Sequence, residues 1–260
     1  MRAIRQVTPG KPPDNPGGIC AMRPTILLTR PQAASDRFAT EARAALGADW
    51  PVLIAPLMRT IWQGALPEML NLSDVIFTSE TALRGFCRLS ARRDMRAWCV
   101  GARTATAAER AGFAVCQGPG DAQGLAALIA KTCAAKRLFW PHGTDVARNM
   151  DDLLVPAGIE TVSAVIYNQQ PVPLTAAALT LLSGHMPVLL PLFSPRSARL
   201  LLQAFSAHTI RAPLYLASLG PDVDAATAAL MVRQRRVAAQ PNAKSLLVTL
   251  AHLAEIAALG

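Results

Sequence analysis

A buried strand that leads directly into a helix is the feature that most limits what this chain can fold into. The run Val188–Phe193 is almost entirely apolar, as expected of a strand covered on both faces of a sheet. Ser194 follows in the position of a helix N-cap, and Pro195 stands at the first helical position, where its missing N–H costs nothing. The N–H groups of that first turn would favour an anion beyond the strand end.

The same arrangement occurs earlier in the chain. Asp74–Phe86 again contains a short apolar run, a hydroxyl pair at Thr78 and Ser79, and a helix. Both copies continue through a glycine turn, at Gly101 and at Gly220, and each then reaches a polar loop that opens an amphipathic helix. The shared order favours an internal repeat of two similar α/β halves over a chance likeness of two strand–helix units.

Strands and helices alternate regularly from Asp74 to Tyr167, and this alternation predicts a parallel sheet with helices on both faces. The helices predicted along the chain include Ser35–Leu46, which Ser35 would cap, Val146–Pro156 and Asp222–Met231.

The pattern predicts two domains, the first of them discontinuous. Residues 22–55 and 172–260 would form the first α/β domain, and residues 56–171 would form the second, inserted domain. Two extended segments, near Ile54–Leu57 and Ala164–Asn168, would link them.

The first 21 residues differ in composition from the rest. They are rich in proline and glycine and lack the apolar core of a signal peptide, so we interpret residues 1–21 as a disordered leader, or as residues upstream of a true start at Met22. No apolar run of the chain is long enough for a transmembrane helix, so no membrane partner is expected.

The chain has a formal net charge of +9, which limits the kinds of partner that it is expected to bind. A nucleic-acid surface would need a Lys/Arg stripe with interleaved aromatic residues, but the basic residues are dispersed and aromatic residues make up only 5%. No segment has the basic and apolar faces of a membrane-surface helix. Two explanations remain: attraction of a polyanionic small molecule, and a solvated arginine-rich surface, which composition alone favours.

Residues that often carry chemistry form no recognisable set. The five cysteines lack CxxC spacing and are odd in number, which favours free thiols in a reducing cytosol and hence a cytoplasmic protein. The four histidines have no metal-ligand spacing, so no metal site is expected. The GPGDAQG stretch at Gly118–Gly124 has the wrong spacing for a dinucleotide loop, and a loop with a capped helix explains it.

An ordered set of segments resembles the uroporphyrinogen-III synthase family. The segments are ILLTRP at Ile26–Pro31, FTSETALRGF at Phe77–Phe86, VGARTATAAERAG at Val100–Gly112, GDAQGLAALI at Gly120–Ile129, VIYN at Val165–Asn168 ahead of PVP, and LFSPRSARLLL at Leu192–Leu202. The resemblance covers Met22 to the C-terminus, and the ordered set is far more specific than any single member.

This resemblance implies a fold and a reaction. Members have two Rossmann-like α/β domains joined by a two-stranded linker, with the site in the cleft between them. They convert the linear tetrapyrrole hydroxymethylbilane, a polycarboxylate, into uroporphyrinogen III, inverting ring D and losing water without a metal or organic cofactor. The resemblance also implies a monomer that makes transient contact with the preceding enzyme of the pathway. The polyanionic substrate would give the positive charge a purpose.

The chemistry of that reaction asks little of the protein. The hydroxyl of ring A must leave as water, and the resulting azafulvene is attacked by the substituted α-carbon of ring D, giving a spiro intermediate that fragments and recloses. The protein must help the hydroxyl leave and hold the chain folded. Tyr167 matches the family tyrosine proposed to assist this departure, and its phenol is a suitable neutral donor.

The remaining site residues lie in the turns that carry the resemblance. Hydroxyl groups and backbone N–H groups there would bind the substrate, and arginines would bind its acetate and propionate groups. Each of these residues also has a purely structural explanation, as a helix cap or a surface arginine. The substrate-binding residues so implied are Thr29, Arg30, Thr78, Ser79, Gly101, Arg103, Thr104, Ser194, Arg196, Ser197 and Gly220.

One turn departs from the family pattern. Members commonly have a Gly-x-x-Thr-like turn where this chain has GPDVD at Gly220–Asp224. Either Asp222 and Asp224 face away as first-turn helix residues, or the second half of the site is impaired.

Two other classes of protein fit parts of the pattern. A two-lobed α/β module that binds a small anionic ligand would show affinity without turnover. A two-domain glycosyltransferase would need a nucleotide-sugar signature, which is missing. The insertion topology and the lack of a signal peptide favour the synthase.

Overall fold

The computed structural model describes residues 23–68 and 71–259, so the predicted leader at residues 1–21 lies outside the described residues. Internal contacts divide the chain into two compact units. The first takes its described residues from Met1–Thr29, Ala33–Ala55 and Leu174–Gly260, and the second from Arg30–Gln32 and Pro56–Pro173. No helix in the described ranges is both long and apolar enough to cross a membrane.

Strands and helices alternate along most of the chain. The strands are β1 (Thr25–Leu28), β2 (Val52–Ile54), β3 (Met58–Trp62), β4 (Asp74–Phe77), β5 (Arg96–Cys99), β6 (Ala114–Gln117), β7 (Arg137–Gly143), β8 (Glu160–Pro171), β9 (Val188–Leu192), β10 (Leu214–Ser218) and β11 (Gln234–Val237). The helices are α1 (Gln32–Leu46), α2 (Glu80–Leu89), α3 (Ala102–Arg110), α4 (Ala122–Thr132), α5 (Met150–Leu154), α6 (Ala176–Ser183), α7 (Pro195–Ser206), α8 (Pro221–Ala225) and α9 (Ala243–Leu259).

The first unit is built on a five-stranded sheet in the order β11-β10-β9-β1-β2, and its strands pair in parallel. All five residues of the central strand β9 are buried. Leu189 packs with residues of α1 and α9 on one face, while Leu190 and Leu192, which alternate with it, are equally buried. β9 is therefore covered on both faces, as its apolar sequence predicts.

The second unit contains a six-stranded sheet in the order β3-β8-β7-β4-β5-β6, parallel except for β3, which pairs antiparallel to β8. Alternate residues of β4 enter different cores. Val75 and Phe77 pack with α2 and α3, whereas Ile76 packs with α4 and α5. Parallel sheets flanked by helices confirm the α/β class predicted from the sequence.

Three predicted helix bounds were wrong. Helix α1 begins at Gln32, directly after Pro31, and the predicted cap Ser35 is a fully buried residue inside it. Only Met150–Leu154 of the predicted helix Val146–Pro156 is α-helical, because the Asn149 side chain caps a later start by accepting from the Asp151 N–H.

The third wrong bound concerns α8, which ends at Ala225 instead of Met231. The Arg235 guanidinium donates to the carbonyl oxygens of Thr227 and Leu230, and the Thr227 hydroxyl donates to the carbonyl of Asp224. Beyond Ala225 the backbone N–H groups of Thr227, Ala228 and Leu230 donate to carbonyls three residues back, so the chain continues as turns instead of α-helix.

The segment Ala164–Asn168, predicted as a linker strand, lies inside β8. It belongs to the sheet of the second unit because β8 extends over twelve residues and pairs with β7 on one side and β3 on the other. β3 begins where its antiparallel partner β8 ends, at the pair Met58 and Pro171. Beyond them the Val172 N–H donates to the Leu57 carbonyl.

Candidate functional site

A β-bulge in β8 determines where the Tyr167 side chain lies. His142 of β7 faces Val165 of β8, but the next residue, Gly143, faces Tyr167, so Ile166 is an extra residue in β8. Strict alternation would place Ile166 and Tyr167 on opposite faces of the sheet. With the bulge, both residues belong to the core that packs against α2 and α3. The bulge therefore directs Tyr167 towards α2.

The Tyr167 hydroxyl lies at the start of α2. Its oxygen is 3.3 Å from the Ser79 hydroxyl oxygen, and either group can donate the hydrogen bond. Ser79 is the N-cap of α2, and its side chain accepts from the Ala82 N–H at 3.0 Å. The Trp62 and Tyr167 rings pack edge to face at a centroid distance of 6.3 Å and an interplanar angle of 68°. Tyr167 is 9% exposed, so most of its side chain is removed from solvent.

Gly143 is a residue of this site that the sequence analysis missed. A methyl group at this position would lie 2.5 Å from Cε2 and 3.0 Å from the hydroxyl oxygen of Tyr167. A glycine near the end of an apolar strand is a known sign of a bulge or a close approach of another group, so a signal was available.

The second strand end of this unit carries Gly101, Arg103 and Thr104. Gly101 is the N-cap of α3, and a side chain there would meet the Cα of Gly120 at 3.1 Å. Arg103 forms an ion pair at 3.0 Å with Glu80, the residue that follows Ser79. Thr104 is buried in α3, so little of it is open to a ligand in this structure. Thr78, by contrast, is half-buried.

In the first unit, Ser194 and Ser197 lie together at the start of α7. Ser194 is the N-cap, and its hydroxyl oxygen accepts from the Ser197 N–H at 3.2 Å and lies 2.9 Å from the Ser197 hydroxyl oxygen. Pro195 occupies the first position of the helix. The predicted cap is therefore confirmed. Arg196 is half-buried beside these serines.

The two helix starts have matching backbone geometry. Ser79 has φ −159° and ψ 154°, and Ser194 has φ −156° and ψ 150°. The glycine caps match as well: Gly101 has φ −166° and ψ 178°, and Gly220 has φ −164° and ψ 172°. In both sheets the strands that precede these caps are neighbours, β4 with β5 and β9 with β10. This correspondence supports the prediction of an internal repeat.

The turn at Gly220 contains the two aspartates that depart from the family pattern. Asp222 is exposed in the first turn of α8. The Asp224 carboxylate pairs with Arg235 at 3.4 Å and accepts from the Ser218 hydroxyl at 3.3 Å. The Asp224 charge is therefore compensated within the first unit, which favours the first of the two explanations offered for this turn.

Thr29 directly follows the strand β1, and it is 1% exposed. Its hydroxyl oxygen is buried and has no hydrogen-bond partner in the structure. Arg30, the next residue, is half-buried. Because β1 and β9 are adjacent parallel strands, Thr29 and the helix start at Ser194 both lie at the carboxyl ends of the strands.

The structure thus brings some of the predicted residues into contact within each unit. In the second unit, Tyr167 and Ser79 are in direct contact, and Arg103 reaches Glu80 beside them. Ser194 and Ser197 form a second contacting pair in the first unit. Among the described residues, no group of three or more His, Cys, Asp or Glu side chains could hold a metal ion.

Comparison with known proteins identifies one family. The family described as uroporphyrinogen-III synthase HemD matches residues 38–248, which is more than half of the chain. No curated protein matches the chain.

Two solved structures that match the chain are uroporphyrinogen-III synthases. A uroporphyrinogen-III synthetase from Helicobacter pylori has a TM-score of 0.63 and 16% identity, and the match covers 89% of this chain and 100% of that one. A mutant uroporphyrinogen III synthase from the extremely thermophilic bacterium Thermus thermophilus has a TM-score of 0.47 and 14% identity, covering 90% and 99%. At these identities the first of the two shows a shared fold.

Proposed function

Because this chain belongs to the uroporphyrinogen-III synthase family, we propose that it converts hydroxymethylbilane to uroporphyrinogen III with inversion of ring D and loss of water. The family and the fold support a role in haem biosynthesis and this class of enzyme. The observation that carries the proposal within the site is the contact between the hydroxyl groups of Tyr167 and Ser79 at the start of α2.

Tyr167 is proposed to donate the proton that lets the ring A hydroxyl leave as water. The carbon–oxygen bond breaks, the pyrrole π-system supplies the electron pair, and an azafulvene forms. The α-carbon of ring D attacks this electrophile, and the resulting spiro intermediate fragments and recloses. The proton lost at ring closure balances the one that Tyr167 supplied. The reaction needs no cofactor, because the pyrrole rings provide the electrons.

The position of Ser79 supports this role. In one of its two hydrogen-bond directions, the Ser79 hydroxyl donates to the Tyr167 oxygen while accepting from the Ala82 N–H. This leaves the Tyr167 proton available for the substrate. Negative charge that develops on the phenol oxygen would then be stabilised by a polarised chain of donors and by the positive end of the α2 dipole.

The strand-end turns of each unit are proposed to bind the substrate's carboxylates. Backbone N–H groups at helix starts and the nearby guanidinium groups suit acetate and propionate side chains. The residues proposed for this role are Thr29, Arg30, Thr78, Ser79, Gly101, Arg103, Thr104, Ser194, Arg196, Ser197 and Gly220. A net charge of +9 would assist capture of such a substrate. We further propose that the enzyme acts as a monomer in the cytoplasm, receiving substrate from the enzyme before it.

An assay coupled to a source of hydroxymethylbilane tests the proposal. The products are oxidised to porphyrins, and isomers I and III are separated and quantified. We expect isomer III in excess with the protein and isomer I without it. If the protein bound the tetrapyrrole but yielded only isomer I, it would be a binding module and the enzyme assignment would be wrong.

A further inference from the structure

Gly143 lies directly opposite Tyr167 in the β7–β8 pair. Its position needs space rather than unusual backbone geometry, because Gly143 is not among the glycines with positive φ. An added methyl group would lie 2.5 Å from Cε2, 2.7 Å from Cζ and 3.0 Å from the hydroxyl oxygen of Tyr167. Real methyl groups do not approach other atoms at the shorter two distances, so alanine here would displace the Tyr167 ring.

Gly143 faces the core that contains Tyr167. Phe139, two pleat repeats earlier in β7, belongs to that core, and residues of one strand alternate between faces. The missing side chain of Gly143 therefore leaves open the space into which the bulge directs Tyr167. The Trp62 ring and the Ser79 hydroxyl also contact Tyr167.

We propose that Gly143 is a positioning residue for Tyr167: its lack of a side chain lets the ring pack against the β7 backbone and holds the phenol oxygen beside Ser79. The catalytic part of this proposal rests on the proposed function, in which Tyr167 donates a proton to the substrate. The position of the ring, however, can be measured without any assay of activity.

The variant Gly143→Ala tests the proposal kinetically. Because the displaced hydroxyl would no longer reach the leaving group, we expect kcat to fall about as far as in Tyr167→Phe, on the order of 10²-fold. KM should change little, since the contact acts in the transition state. A kcat equal to that of the wild type would overturn the proposal.

Leu138→Ala is the control for damage to packing. Leu138 is fully buried in the same strand as Gly143, but it belongs to the core that packs against α4 and α5, not to the core that contains Tyr167. We expect Leu138→Ala to lower the thermal midpoint at least as much as Gly143→Ala while retaining most of kcat. An equal loss of kcat in both variants would reduce Gly143 to a packing residue and contradict its positioning role.

A double variant separates positioning from general disruption. When Tyr167 is already Phe, no hydroxyl remains to be displaced. Adding Gly143→Ala to Tyr167→Phe should then cause little further loss of kcat. If the two losses multiplied, Gly143 would act independently of the hydroxyl and the proposal would be wrong.

Tyrosine NMR supplies the readout that does not depend on catalysis. The chain has only two tyrosines, Tyr167 and Tyr215, so ring-labelled tyrosine gives two sets of signals that Tyr167→Phe assigns. We expect Gly143→Ala to move the Tyr167 signals and leave those of Tyr215, which is in the first unit, in place. Unmoved Tyr167 signals would overturn the proposal. If they moved but the wild type formed no isomer III, the proposed function would fail and the placement of the ring by Gly143 would stand.

Discussion

The hydroxyl oxygens of Tyr167 and Ser79 lie 3.3 Å apart, although the two residues are separated by 88 positions in the sequence. Two local features produce this contact. The bulge at Ile166 directs Tyr167 towards α2, and the N-cap geometry of Ser79 presents its hydroxyl at the first turn of that helix. One end of the contact is thus set by a pair of strands and the other by a helix start.

Replacing Tyr167 by Phe tests the proton donor. Loss of the hydroxyl should lower kcat on the order of 10²-fold, because a general acid contributes about that much or more. Some isomer III should still form, since binding of the folded tetrapyrrole does not depend on this proton. Rates and isomer ratios from the coupled assay check the expectation. A variant with the wild-type rate would remove Tyr167 from the mechanism.

Ser79→Ala and Ser194→Ala form a matched pair, because both serines cap a helix with the same geometry. Each change should cost about 1 kcal/mol of unfolding free energy through the lost cap. Only Ser79 contacts Tyr167, so Ser79→Ala should lower kcat several-fold more than Ser194→Ala, though less than Tyr167→Phe. Urea unfolding and steady-state kinetics measure the two effects. A larger kinetic loss in Ser194→Ala would contradict the assignment of roles.

Gly101→Val and Gly220→Val compare the two glycine N-caps, which open α3 and α8. A side chain at Gly101 would meet the Cα of Gly120 at 3.1 Å, whereas a Cβ added at Gly220 would have no close neighbour within 4 Å among the described residues. Backbone cannot yield as a flexible side chain can, so Gly101→Val should lose about 1–3 kcal/mol through overpacking. Gly220→Val should lose only the stability that follows from replacing a glycine N-cap, a loss that Gly101→Val shares. Equal thermal midpoints for the two variants would refute this difference.

Arg235 holds the turn after Gly220 together through Asp224 and the carbonyls of Thr227 and Leu230. Arg235→Gln should lower the unfolding free energy by about 1–3 kcal/mol, because half-buried acceptors lose their charged donor. The exposed neighbour Arg236 provides the control, and Arg236→Gln should lower the unfolding free energy far less. Chemical denaturation compares the two variants, and equal values would mean that the contacts of Arg235 contribute nothing.

Cys99 predicts a pH dependence of stability. Burial, assisted by Glu109 and Cys116, raises the pKa of the Cys99 thiol from 9.0 to about 12. As pH rises above 9, the unfolded chain releases this proton while the folded chain retains it until about pH 12. Unfolding therefore becomes more favourable across that interval, and below pH 9 the thiol contributes no pH dependence.

Cys99→Ala isolates this effect. The variant should lose some stability at every pH from the smaller side chain, but its unfolding free energy should fall less steeply than that of the wild type above pH 9. Denaturation at pH 8, 9 and 10 compares the slopes. Parallel curves would show that the Cys99 thiol titrates as it does in the unfolded chain.

The sequence determined the features that depend on nearby residues. A continuous apolar run predicted the buried strand β9, because a strand covered on both faces has no polar side to show. Ser194 and Pro195 predicted the start of α7, because a cap and a first-turn proline act on backbone groups within four residues. The repeated order of these signals was enough to predict the matching helix starts at Ser79 and Gly101.

Only the tertiary structure decided how distant residues meet. Ser35 looked like a cap, but α1 starts before it and buries it, since packing outweighs local preference. Nothing near Tyr167 in the sequence announces the bulge, because a bulge is a property of two paired strands and needs the partner β7 to define it. The space at Gly143 and the Arg235–Asp224 pair have the same origin: each depends on a contact that exists only after the sheet has brought separate segments together.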